Sequence, residues 1–132
     1  GLEFFTPEFC NNRFDHSLSN LCYMIESRLE LLKNFNSPKL EQFFTALFTD
    51  EYCTALFLFD GSKIKDHGPG NVYGWRTATP RIEKLFDAAC SIIEANRLAS
   101  LRNFMVKFVE KSDNAALRNR ARQCVAVLSG NL

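Results

Sequence analysis

Three times in this sequence a hydroxyl-bearing residue is followed by proline: Thr6-Pro7, Ser37-Pro38 and Thr79-Pro80. A hydroxyl just before a helix accepts a bond from its first free N–H groups, and a proline in the first turn has no N–H to leave unsatisfied. Each pair therefore reads as a helix start. Behind the second pair, Leu40, Phe43, Phe44, Leu47 and Phe48 fall on one wide apolar stripe. Behind the third, Ile82, Leu85, Phe86, Ala89, Cys90 and Ile93 do the same.

The remaining apolar residues follow the same period. Thr6-Pro7-Glu8 opens a short helix that Asn11 and Asn12 end. A longer helix starts near Asp15 or Ser17, with Leu18, Leu21, Cys22, Ile25, Leu29 and Leu32 on one face. Met24, Leu31 and Phe35 form a second strip, so this helix is expected to be contacted on two sides. The short link at Asn36-Ser37-Pro38 predicts that it pairs with the next helix as a hairpin. Tyr52 to Phe59 is apolar on every side, which fits a buried helix or a buried strand. Helix is favoured, because Thr54 is its only β-branched residue and no second strand is evident to pair with it.

After a break near Glu94, Asn96 and Arg97, Leu98, Leu101, Met105 and Phe108 continue on a helix. Ser112 or Asp113 then caps a last one, with Leu117, Ala121, Cys124, Val125 and Leu128 inward and Gly130 at its end. The run from Asp113 to Gly130 loosely resembles the second helix of a HEAT or armadillo repeat. No second copy recurs at a period of about 40 residues, so no family follows from it. The fold expected is all-α: a compact bundle of about six helices in helical hairpins.

Between the hairpins lies Asp60 to Thr79, which holds four of the six glycines together with Pro69 and shows no apolar period. It reads as one long Gly-rich central loop, and connections beyond about 12–15 residues in compact domains are usually functional or disordered. The 132 residues form a single helical domain with an acidic helical half at 1–59, the loop at 60–79 and a basic helical half at 80–132. Residues 1–60 carry four basic and nine acidic side chains, residues 97–132 seven basic and two acidic. Such asymmetry means either faces that dock on each other or a basic surface offered to an acidic partner.

Thirteen phenylalanines predict a phenylalanine-rich core. Five widely spaced cysteines, most of them on the apolar stripes, read as reduced core thiols and not as a disulfide framework. No run approaches the roughly 18 apolar residues of a membrane helix, and the N-terminus has no signal core. The expectation is a domain excised from a larger intracellular protein, cytoplasmic or nuclear, with no membrane association.

Catalysis finds little support. His16 and His67 are the only histidines, neither has metal-ligand spacing, and no two cysteines are close enough in sequence for a zinc knuckle. No enzyme activity, cofactor or metal is expected. GPGNVYG lacks the lysine and hydroxyl that end a phosphate-cradling loop.

The residues that carry binding chemistry are Tyr73, Trp75 and Arg76 as anchors for a partner peptide or helix, with Arg118 and Arg122 as an acid-pairing rim. A non-enzymatic protein-interaction module, an adaptor or scaffold, follows from them. The alternative is RNA or single-stranded nucleic acid, held by Lys63, Lys65, Arg97, Arg102 and Arg120 with the loop aromatics as stacking platforms. A net charge of +1 counts against that alternative. Homodimerisation through leftover apolar surface is a third option. Each set also has a plain structural reading. Tyr73 and Trp75 would plug the core, and the arginines would be solvated or paired with the acidic half.

Overall fold

A computed structural model describes residues 18–33, 39–58 and 71–130. Within them the chain forms six α-helices: α1 (Leu18–Leu32), α2 (Lys39–Thr49), α3 (Glu51–Leu58), α4 (Asn71–Ala95), α5 (Arg102–Lys111) and α6 (Ala115–Leu128). A 3₁₀ turn, Ala99–Leu101, leads into α5. The all-α expectation holds. The short helix expected after Thr6, and residues 60–70 of the expected loop, lie outside the described residues.

The main apolar stripes read from the sequence supply the core. Cys22, Ile25, Leu29 and Leu32 of α1, the five apolar residues of α2, and Ile82 to Ile93 of α4 are buried together with Leu101, Met105, Phe108, Leu117, Ala121 and Cys124. The centre is aromatic. Phe48 of α2 meets Phe108 of α5 edge to face at 5.4 Å, Phe57 of α3 lies 5.3 Å from Phe86 of α4, and Phe86 meets Phe108 at 5.4 Å. Edge-to-face rings at such separations add about 0.5–1.5 kcal/mol per pair beyond the area they bury. Four helices are thus pinned at one point.

The segment that fitted either helix or strand is the helix α3. Its start is fixed by buried Asp50, whose Oδ1 accepts from the Cys53 N–H at 2.9 Å, while the Thr54 hydroxyl donates to the Asp50 carbonyl at 2.6 Å. The two bonds lock the α2–α3 corner, and a strand would leave both groups unpaired in the core.

Four expectations change. Helix α4 begins at Asn71, so residues 71–79 of the expected loop are helical and Pro80 lies inside the helix. A proline has no N–H for the preceding turn and crowds a carbonyl there, which is why the sequence reads as a start at that point. Pro80 is exposed, so the turn it interrupts faces water. Leu31 is 69% exposed and does not form a second buried strip with Met24; Phe35 lies outside the described residues. The main packing of α1 is against α4, not against its neighbour α2, and α5 with α6 is the sequential hairpin that packs most extensively. Finally, the last helix is capped by Asn114, whose Oδ1 accepts from the Leu117 N–H at 3.1 Å, not by Ser112 or Asp113.

Long α4 is the spine, with α1 on one side and α6 on another. It ends in a left-handed residue, Arg97, at φ 50°. The Leu98 N–H returns to the Ile93 carbonyl and the Arg97 N–H to the Glu94 carbonyl, both at 3.1 Å, the crossed pair of bonds that closes a helix C-terminus. Leu98 then packs against the core and turns the chain toward α5.

Candidate functional site

On α6 the arginines at 118, 120 and 122 point to three different tasks. Arg120 is 16% exposed; its Nη1 and Nη2 donate to the two carboxylate oxygens of Glu94 at 2.7 and 2.9 Å, and its Nε to Asp87, both acids on α4. Arg118 turns back and donates to the Ser112 carbonyl at 2.7 Å. Arg122 stays exposed and reaches Asn119 of its own helix.

Arg97 donates to the Val127 carbonyl at 3.0 Å and Arg102 to the Ser129 hydroxyl at 2.8 Å, so both tie the α4–α5 corner to the end of α6. The basic half therefore neutralises acids of α4 and closes helix ends. This corresponds to the docking of complementary faces: Arg120 takes its acids, Asp87 and Glu94, from α4, and Arg81 takes Glu26 from α1. Of the arginines assigned to nucleic acid, all three have guanidinium N–H groups engaged within the chain. Lys63 and Lys65 lie outside the described residues. Tyr73, Trp75 and Arg76 fall in the first turns of α4, and their side chains are outside the described part.

The structure places Arg118 and Arg122 one turn apart on α6, with Arg118 bonded to the Ser112 carbonyl and Arg122 to Asn119. It opens a different feature, a groove of about 750 Å³ between α1 and α4. Leu29 of α1 with Leu85 and Ile92 of α4 form its apolar floor, each less than a tenth exposed. Its edges are charged. Glu26 and Glu30 line it from α1 with Lys33 at the end of that helix, and Arg81 and Lys84 line it from α4. Arg81 crosses to Glu26, Nε and Nη2 both 3.1 Å from Oε2. More than half of the Glu26 side chain remains exposed, so this pair is easily exchanged for a new one. A second depression, of about 490 Å³, follows the outer face of α2 alone and gathers no convergent charged groups.

The groove was not legible in advance. Glu26 and Glu30 are four residues apart on α1, and nothing local pairs Glu26 with Arg81, 55 positions away.

The described cysteines are reduced thiols and buried, as read from the stripes. Burial pushes the Cys22 thiol up to about 11. The neighbouring Cys124 and burial raise the Cys90 thiol well above the ordinary thiol range, while Cys90 lowers Cys124 against the effect of burial. Among the described residues no group of three or more His, Cys, Asp or Glu is placed to hold a metal ion, and no described helix is long and apolar enough to cross a membrane. Compared with known proteins, the chain matches no family model, no curated protein and no solved structure.

Proposed function

We propose that this chain is a non-enzymatic protein-interaction module that receives one helix or peptide of a partner in the groove between α1 and α4. The observation that supports this is the apolar floor of Leu29, Leu85 and Ile92 between an acidic α1 edge and a basic α4 edge. A helix laid in an apolar groove gains affinity from the residues it buries and orientation from the charges at its sides. The partner segment is amphipathic, with basic residues on the side facing Glu26 and Glu30 and acidic residues on the side facing Arg81 and Lys84. Tyr73, Trp75 and Arg76 precede this wall on the same helix and serve as its anchors at the α4 N-terminus.

The test is selection of binders from a displayed library of helical peptides, followed by binding to Glu30→Lys/Lys84→Glu protein. Both positions are exposed, so the double reversal leaves the fold intact. Selected peptides should carry the stated charge pattern and lose about tenfold or more in affinity for the reversed protein, since like charges face each other there. Binders of no common charge pattern, with equal affinity for both proteins, would sink the reading.

A further inference from the structure

Among the described residues two large apolar side chains stay in water, Tyr23 at 66% and Leu31 at 69% exposed, and both belong to α1, the helix that forms the acidic edge of the groove. Tyr23, Ser27 and Leu31 follow one another at helical spacing and form one row along α1, and Glu26 and Glu30 form the row beside it. Across the groove Glu26 meets Arg81. Glu30 and Lys84, both exposed, line the groove about one turn further along their helices, and Lys33 and Ala88 line it a turn beyond those. Because the residues that follow Glu26 and those that follow Arg81 line one groove, α1 and α4 run along it in the same direction.

We propose that the occupant of this groove is a second copy of the chain, docked about a two-fold axis that runs along the groove. The inference rests on the groove being a docking site, as proposed above, and names what docks there. Such an axis exchanges the two edges and keeps their height. The acidic α1 edge of each copy then faces the basic α4 edge of the other, Glu26 opposite Arg81 and Glu30 opposite Lys84, and each contact occurs twice. Lys33, at the end of α1, faces Ala88 and Ser91 of the second copy, neither of them charged. A two-fold axis lying across the groove would instead set acids on acids and cations on cations, which disfavours that arrangement. Of the two, only the axis along the groove is complementary, and two-fold contacts are the commonest in oligomers. The charge pattern required of a partner segment is thus carried by this chain itself.

The copies meet as four helices, with α1 of one over α4 of the other. The row of Tyr23 and Leu31 borders this contact, and both side chains leave water when it forms. The floor of Leu29, Leu85 and Ile92 is already less than a tenth exposed, so most of the added burial comes from that row and from the stems of the charged side chains. The contact is therefore a small one, with a dissociation constant on the order of 10–100 µM.

Sedimentation equilibrium of the whole chain, from about 5 to about 500 µM so as to span that constant, reads the association directly. The wild type should dimerise and go no further. Glu30→Lys and Lys84→Glu should each weaken self-association by about tenfold or more, because each variant sets two like-charged pairs in its own contact. Both positions are exposed, and unchanged circular dichroism spectra confirm that folded proteins are compared. An equimolar mixture of the two variants should recover the dimer, since one pair is then reversed and the other unaltered. The double variant Glu30→Lys/Lys84→Glu should dimerise as the wild type does while losing the charge-patterned peptides. A wild type that stays monomeric throughout, single variants that associate undiminished, or a mixture that recovers nothing would each overturn the second copy as occupant. Failure here is distinct from failure of the groove: peptides of the stated pattern that bind a monomeric wild type uphold the groove and exclude the dimer.

Discussion

Arg120 of α6 grips Glu94 of α4 with both ends of its guanidinium fork, Nη1 to Oε2 at 2.7 Å and Nη2 to Oε1 at 2.9 Å. Both side chains are about four-fifths buried, so the pair sits between a surface bridge of little worth and a core pair whose desolvation is hard to offset. Removing the arginine leaves Glu94 without its two charge-assisted bonds. Arg120→Met is expected to lower stability by about 2 kcal/mol, and Arg120→Lys, which keeps the charge but not the fork, by about 1 kcal/mol. Urea denaturation of the three proteins checks the order.

The Ser112 hydroxyl donates to the Phe57 carbonyl at 2.7 Å, and the Asp113 N–H to the Leu58 carbonyl at 2.8 Å. Carbonyls at the end of α3 have no partner within their own helix, so the α5–α6 turn supplies one. Phe57 is fully buried and water has no easy access there. Ser112→Ala should cost about 1–3 kcal/mol, while Ser129→Ala at an exposed helix end should stay within about 0.5 kcal/mol. Equal effects from the two changes would mean that the Phe57 carbonyl is not held by Ser112.

Asp50 caps α3 through one carboxylate oxygen. Alanine there is expected to cost about 1–2 kcal/mol and asparagine much less, because its amide oxygen can accept from Cys53 in the same way. Hydrogen exchange gives a local readout: the Cys53 amide should exchange faster in Asp50→Ala and stay protected in Asp50→Asn.

The Cys22 thiol is held neutral by burial up to about pH 11, against an ordinary value of 9.0. A folded-state pKa that is raised means that the unfolded chain ionises first. The stability is fully present below about pH 9 and is lost as pH rises through 11. Between these limits the wild type should lose about 2–3 kcal/mol more than Cys22→Ala. Denaturation curves collected for both proteins at alkaline pH test this difference, and parallel decline of the two would refute it.

Much of the fold was written locally. Hydrophobic period placed α2, most of α4, α5 and α6, because an apolar stripe at helical spacing has one way to be buried. Misreadings fell where a local signal had two meanings. Thr79-Pro80 looks the same whether a helix begins there or runs through an exposed proline, and only the flanking turns distinguish them. Ser112, Asp113 and Asn114 are all competent caps, and Asn114 serves because Ser112 is drawn away to α3.

The site was less legible than the fold. The sequence shows that arginine is concentrated after residue 96, but a guanidinium that caps Ser112, grips Glu94 or faces solvent looks alike in a string of letters. What the sequence determined by itself is the set of amphipathic helices and the phenylalanine that fills them, since both depend on neighbours within a few residues. The tertiary structure alone decided that α1 packs on α4, which opens the groove, that Arg120 is committed to α4, and that Cys90 meets Met105. Those are relations between residues 15 to 55 positions apart, fixed by which apolar stripes face each other and not by the residues beside them.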